Sequence, residues 1–299
     1  MTGGQSVSIG QIMFDMDSVK VLHLEPTSNC NAACPQCDRY QGNSLNPNLV
    51  LNDLSLDTIK EKLSEKFVRQ LDKMFMCGNH GDPAASVNTL EIYRWFREVN
   101  PTITLGMNTN GGLKTVDFWI ELAKIINRER DYVVFSIDGL EDTNQIYRRN
   151  VVWDRLINNV KAFINAGGRA HWDMIIFKHN EHQIEKAKTF ANDMGFVEFR
   201  YKVSRRFGFK PVDYLEPPSF AVNFHTEATD IKCAALEDKS IYMDSMGRIL
   251  PCCWIGIDTV NNKSEWKVQG FVPSKDISVC SKICGIIQKS NFEKQWITV

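Results

Sequence analysis

Residues 30–37 read CNAACPQC, three cysteines at a C-x3-C-x2-C spacing. Grouped thiolates bind zinc or iron–sulfur clusters. Structural zinc takes four protein ligands, so three cysteines leave a position open and make the site a chemical one, unless a distant residue closes it. A [4Fe–4S] cluster on three thiolates would leave one iron free to bind a substrate or cofactor directly. The remaining alternative is cysteines that pack as small apolar side chains. Five more cysteines cluster after residue 232, at Cys233, Cys252, Cys253, Cys280 and Cys284. Cys77 is isolated in an apolar stretch and reads as a buried small hydrophobe.

The opening sequence MTGGQSVSIGQIMFDMDSVK has no basic start and no long apolar run, so it is not a signal peptide. Without secretion, clustered cysteines indicate metal or catalytic sites rather than disulfides. No stretch has the length of a membrane-spanning helix. A net charge of −1 lacks the electrostatic footprint of a general nucleic-acid binder. The expectation is a soluble, cytoplasmic protein with neither membrane nor nucleic acid as partner. Its 299 residues, 43% hydrophobic, suffice for one large domain or a large one with a small one.

Six strand-like stretches alternate with helical ones. The strands are VKVLHLEP (19–26), KMFMCGN (73–79), TITLGMNTNGG (102–112), YVVFSIDG (132–139), RAHWDMIIFKHN (169–180) and FVEFRYKVS (196–204). Helical periodicity marks 55–68, 89–99, 116–126, 152–167 and 181–195. Such βα alternation predicts a parallel sheet covered by helices, either an open doubly wound sheet or a barrel. In both, functional residues lie at the C-terminal ends of the strands. CNAACPQC, GNHGDP, NTNGG, SIDG and KHN all fall there. The expected organisation is an N-terminal extension (1–18), an α/β core (19–204), a proline-containing linker (205–230) and a small cysteine-rich module (231–299). Within that module, 240–256 reads as a hairpin turning at SMGR, which would place Cys252 and Cys253 on opposite faces.

On these elements, CNAACPQC after a first strand resembles the cluster motif of the radical S-adenosylmethionine (radical SAM) superfamily. HGDP (80–83) resembles that family's Gly-Gly-Glu-Pro segment, which receives the methionyl amino group of SAM. TNG (109–111) matches the usual end of its third strand, and SIDG (136–139) the fourth, where polar groups reach the SAM ribose or carboxylate. The resemblance spans residues 19–204 with the motifs in register. It implies a partial (β/α)6 barrel, a [4Fe–4S] cluster on Cys30, Cys34 and Cys37, and SAM bound to the open iron. Gly81, Asp82, Asn110, Ser136, Asp138 and Tyr40 are the implied SAM-binding residues. A one-electron reductase such as a flavodoxin or ferredoxin would drive cleavage of SAM to methionine and a 5′-deoxyadenosyl radical, which abstracts hydrogen from an unactivated C–H bond. Two places depart from the family pattern. Gln36 stands where an aromatic residue often lies near the adenine, with Tyr40 nearby, and His80 and Asp82 replace the first glycine and the glutamate.

The run from Cys233 through thirteen residues to Gly247, then four residues to Cys252, matches the opening of the C-terminal cluster modules of many radical SAM enzymes. The two-cluster version, called SPASM, uses more than the five cysteines present here, so a single-cluster "twitch" module fits better. Its implied ligands are Cys233, Cys252, Cys280 and Cys284 around an auxiliary [4Fe–4S] cluster, with Cys253 as a substitute for Cys252. A zinc ribbon is the alternative.

The substrate is expected to be a small molecule or a peptide. About 18 residues before the first strand are too few for a leader-peptide-binding domain, which leans away from ribosomal peptides unless a separate chain supplies recognition. Arg200, Lys202, Arg205, Arg206 and Lys210 would favour an anionic substrate if they face the barrel mouth, and otherwise form a solvated strand end. Asp173 shares a strand face with His171. It is the candidate catalytic residue, as substrate ligand or proton acceptor, against a purely hydrogen-bonded structural role. The competing class is a zinc-stabilised, non-catalytic interaction module on an α/β scaffold.

Overall fold

Six parallel strands form the core of the sheet: β1 (Val21–Leu24), β2 (Lys73–Met76), β3 (Thr104–Thr109), β4 (Tyr132–Ser136), β5 (Ala170–Ile176) and β6 (Glu198–Val203). They are hydrogen-bonded in chain order. The computed structural model describes residues 15–208, 210–220, 230–286 and 297–298. Alternate residues of each strand turn outward into the helix layer, where Leu22, Leu24, Met74, Met76, Phe135, Trp172 and Phe199 are buried. The opposite face looks into the barrel and carries polar and aromatic groups. The Tyr132 ring stacks on His171 at 5.5 Å, and Lys73 Nζ lies 4.8 Å from the Tyr132 ring centre.

The helices on the outside are α1 (Leu56–Lys62), α2 (Glu65–Gln70), α3 (Thr89–Val99), α4 (Val116–Ile125), the single turn α5 (Asn144–Tyr147), α6 (Trp153–Asn165) and α7 (Ile184–Met194). The stretch 55–68, expected as one helix, is two. Ser55 caps α1 by accepting from the Thr58 amide, and Ser64 caps α2 by accepting from Phe67. The second serine offers the backbone a new N-cap, and the chain takes it rather than continuing through Leu63.

The segment after residue 230 extends the sheet at both edges. β7 (Ser240–Met243) pairs parallel with β1, and β8 (Ile249–Leu250) pairs antiparallel with β7. At the far edge, β9 (Ile297–Thr298) runs antiparallel to β6. The order is β8-β7-β1-β2-β3-β4-β5-β6-β9. The hairpin turn expected at SMGR (245–248) is present one residue earlier, over 244–247, but the strand ends at Leu250. Cys252 is instead the N-cap of α9 (Cys253–Asn262) and Cys253 its first residue. The opposite-face argument for these two cysteines therefore does not apply. Two further helices, α8 (Ala234–Glu237) and α10 (Ser278–Cys284), complete the segment. A short antiparallel ribbon, Asp230–Ile231 with Gly285–Ile286, draws Cys233 and Cys284 together. The fold is a partial (β/α)6 barrel with a cysteine-rich C-terminal segment against one edge. Among the described residues no helix is long and apolar enough to cross a membrane.

Candidate active site

The chain leaves β1 at Glu25 and enters the three-cysteine loop. Two tight turns, closed by bonds from the Cys37 amide to the Cys34 carbonyl and from the Tyr40 amide to the Cys37 carbonyl, fold the loop over the C-terminal end of the barrel. Nitrogen donors surround the sulfurs. The Ala32 amide is 3.3 Å and Asn110 Nδ2 3.7 Å from Cys30 Sγ, while Arg148 Nη1 is 3.8 Å from Cys34 Sγ. Cys37 Sγ is 3.7 Å from the Asn79 carbonyl. All the cysteines are free thiols. Burial pushes the Cys34 thiol up to about 11 and Cys30 higher still, with neighbouring thiols adding to both shifts. Buried thiols of this kind become thiolates when a metal displaces the proton. Donors aimed at sulfur and an arginine beside Cys34 suit that charged form. The residues therefore fit a metal–sulfur cluster. Among the described residues no three His, Cys, Asp or Glu side chains are gathered as for a single metal ion.

The strand-end motifs converge on this loop. Asp82 is buried; its Oδ1 accepts from Thr109 Oγ1 at 2.8 Å and from the Ala84 amide at 2.9 Å, and its Oδ2 from the Asn110 amide at 2.7 Å. Asp82 thus ties the 78–82 loop to the end of β3. Burial raises its pKa against the pull of these donors. Asn110 also reaches Asn31 Oδ1 at 2.9 Å, so the TNG turn touches the cysteine loop directly. A Cβ on Gly81 would lie 1.9 Å from the Thr27 carbonyl oxygen, a contact only glycine permits.

Asp138 is fully buried and spends one carboxylate oxygen on the Ile175 amide (2.6 Å) and the other on Arg148 Nε (2.6 Å). Its contact is with Arg148, which in turn faces Cys34. Ser136 ends β4 in register with Asp173. Tyr40 sits on a small hairpin beyond Cys37, with its hydroxyl 3.5 Å from the Ala32 carbonyl. Gln36, the atypical residue of the motif, is completely buried: its Oε1 accepts from Ser204 Oγ at 2.7 Å and its Nε2 approaches the Lys210 carbonyl at 3.3 Å. It joins the cysteine loop to the end of β6.

Asp173 is held by Arg200 through both oxygens, at 2.8 and 3.0 Å. Arg200 also lies 3.5 Å from Glu198, and His171 Nδ1 lies 3.1 Å from the same carboxylate. Asp173 is thus one end of an interior ion-pair network. Arg206 Nη2 binds Asp38 at 3.0 Å, and Lys210 Nζ binds the carbonyls of Cys37 (2.5 Å) and Tyr40 (2.8 Å). These two cations of the basic stretch clamp the cysteine loop.

All five C-terminal cysteines line one cavity of about 570 Å³, together with His23 and Phe75 from the inner face of β1 and β2. Burial and neighbouring thiols push Cys280 up to about 11. Cys77, just beyond β2, is half-buried, and burial with the nearby Glu25 and Asp82 carboxylates raises it to about 12.

Glu25, Arg39, Asn79, Arg148 and Tyr242 were not legible as site residues. Glu25 is an acid closing an apolar strand, a signal that was present. Arg148 has no spacing relation to Cys34, since they are 114 residues apart.

The profile of the Radical SAM superfamily matches residues 24–191, more than half of the 299-residue chain. The chain belongs to the radical SAM superfamily. It is an enzyme, which removes the non-catalytic zinc-module alternative. A tungsten-containing aldehyde ferredoxin oxidoreductase cofactor-modifying protein of Pyrococcus furiosus is 30% identical over 128 residues, 43% of this chain and 33% of that protein. Among solved structures, Streptococcus suis SuiB bound to precursor peptide SuiA superposes with a TM-score of 0.59 at 16% identity, covering 84% of this chain and 62% of that one. Native anSMEcpe with bound AdoMet and a Kp18Cys peptide gives 0.55 at 12% identity, over 88% and 81%. At these identities the structural likeness speaks to the fold. The chain spans about a third of the curated relative it matches.

Proposed function

We propose that this radical SAM enzyme cleaves SAM reductively at a [4Fe–4S] cluster held by Cys30, Cys34 and Cys37. The observation that carries the reading is one loop at the C-terminal end of the barrel carrying Cys30, Cys34 and Cys37, with nitrogen donors on the first two sulfurs, beside the 78–82 loop and the Asn110 turn. When bound, the cluster would supply one electron to the SAM sulfonium, and the resulting 5′-deoxyadenosyl radical would take hydrogen from the substrate. The chain's own residues orient and enclose. Asp82 and Gly81 shape the loop that receives the methionyl group, and Arg148, fixed by Asp138, offsets negative charge at Cys34. Asn110, Ser136 and Tyr40 stand at the rim as further SAM contacts. Asp173, paired with Arg200, is proposed to face substrate within the interior network.

Residues 231–299 are proposed as a twitch-like module, following the 205–230 linker, with an auxiliary cluster on Cys233, Cys252, Cys280 and Cys284. The cavity shared by these four thiols and Cys253 supports it. A one-electron reductase such as a flavodoxin or ferredoxin would feed the enzyme in the cytoplasm. The substrate is a peptide or a small molecule. The peptides held by SuiB and anSMEcpe favour the first, and the cofactor-modifying Pyrococcus relative the second. Anaerobic turnover with deuterated candidate substrates tests the reaction. Deuterium in 5′-deoxyadenosine is expected. A colourless anaerobic preparation carrying stoichiometric zinc and no iron or sulfide would overturn the proposal.

A further inference from the structure

Glu25 touches none of the three cluster-motif cysteines, yet three parts of the molecule meet at its carboxylate. The group is 1% exposed. Its Oε1 accepts from the backbone amides of His80 (2.7 Å) and Gly81 (2.9 Å), and the Tyr242 hydroxyl donates to Oε2. His80 Nδ1 lies 3.9 Å from Oε2. Arg39 Nη1 takes hold of the same peptide segment from its other side, donating to the His80 carbonyl at 3.1 Å and to the Ser28 carbonyl. The loop has no slack against its neighbours. A Cβ on Gly78 would lie 1.9 Å from the Gly81 carbonyl oxygen, and one on Gly81 equally close to Thr27.

Tyr242 belongs to β7, 217 residues from Glu25. Its ring lies against Gly256 in α9, where a Cβ would come within 2.4 Å of a ring carbon. The same helix end holds the loop a second time, because Asn79 Nδ2 donates to the Cys253 carbonyl at 2.6 Å. The segment carrying the second cysteine group therefore grips residues 79–81 at two points, once through a carboxylate and once directly.

We propose that Glu25 is a positioning residue for the 78–82 loop, and that through Tyr242–Glu25 and Asn79 the C-terminal cysteine segment sets the geometry of that loop. The inference rests on the reading of this loop as the one that receives the methionyl amino group of SAM. Two amides accepted by one buried carboxyl group fix the direction of successive peptide planes, and losing a buried hydrogen bond of this kind frees them. Because coupling between sites is reciprocal, SAM binding would in turn order Tyr242 and the start of α9.

The test compares anaerobically purified wild type with Tyr242→Phe, Glu25→Gln and the control Tyr93→Phe. Tyr93 is buried and donates to the Gly106 carbonyl at 2.6 Å, remote from Glu25 in the hydrogen-bond network. Amide hydrogen exchange across residues 78–82 is read with and without SAM, alongside KM and kcat for SAM cleavage. Faster exchange at His80 and Gly81 is expected in Tyr242→Phe and Glu25→Gln but not in Tyr93→Phe. The KM for SAM should rise roughly tenfold in the first two, with kcat changed less than about threefold. Wild-type exchange at His80 and Gly81 in both site variants would overturn the proposal, as would an equal effect of Tyr93→Phe. Wild-type protein that neither binds nor cleaves SAM overturns the functional reading instead, and the exchange measured without SAM still decides the role of Glu25.

Discussion

The loop after β1 and the segment after residue 230 both gather cysteines, but their supports differ. The first loop hangs from six parallel strands and is fixed by side chains just after β3 (Asn110), at the C-cap of α5 (Arg148) and just after β6 (Ser204). Its three cysteines fall within eight residues. The five in the second group span residues 233–284; Cys233 and Cys252 are helix N-caps and the other three lie in helices, beside a two-residue ribbon. Rigid support suits a site that must present an open position in one geometry. A group of short elements with little core gains stability from the metal it binds. On this comparison we propose that the first site is the reactive one, where metal binding would change the fold little, and that metal at the second would supply part of the folding free energy.

Cys34→Ala and Cys280→Ala should break the comparison most sharply. Cys34→Ala is expected to abolish SAM cleavage and leave the thermal transition close to wild type. Cys280→Ala should lower iron content and Tm together while retaining the optical signature of the first cluster. Iron and sulfide analysis, electron paramagnetic resonance and calorimetry read the outcome, and equal destabilisation by both variants would erase the distinction. Comparing Cys252→Ala with Cys253→Ala by the same iron analysis identifies the ligand, since the two adjacent thiols line the same cavity.

A smaller effect is expected from Arg148→Met. It leaves Asp138 buried without its cation, and breaking a buried pair costs about 3–5 kcal/mol. Calorimetry should show that loss, and Asp138→Asn combined with Arg148→Met should recover part of it. Gly81→Ala places a methyl against the Thr27 carbonyl and should weaken SAM affinity by about tenfold or more while sparing iron content.

A further effect is a pH dependence at Glu25. Burial raises its pKa from 4.5 to about 7, against the donors Tyr242, His80 and Gly81, with Asp244 adding to the rise. A raised carboxyl pKa means that the fold favours the neutral acid. That contribution is fully present below pH 4.5 and is lost as pH rises through about 7, to a total on the order of 3 kcal/mol. The buried His23, lowered to about 4, titrates in an overlapping range with the opposite sign, its contribution being lost as pH falls below 6.5. The difference between wild type and Glu25→Gln isolates the Glu25 term. Wild-type stability should fall relative to the variant across that window, measured by denaturant midpoints at several pH values, and a flat difference would remove Glu25 as its source.

The linear order of the chain determined much of this. The C-x3-C-x2-C spacing puts three thiols on one loop because local turns fix neighbours close in sequence. Hydrophobic period specified six strands and placed their polar ends on one face, because a parallel sheet has only one C-terminal edge. Tertiary structure decided the rest. Whether 55–68 is one helix or two was a contest between continuing the turn and the Ser64 cap, and the cap wins. Gln36 looked like a defect in the motif and is a buried link to Ser204. The partners of Asp138, Arg148 and the Ile175 amide, depend on where β5 and the helix after β4 come to lie. Glu25 and Tyr242 have no periodicity or motif to connect them. Only the parallel pairing of β7 with β1 sets them side by side, because such contacts depend on which strand a distant segment joins.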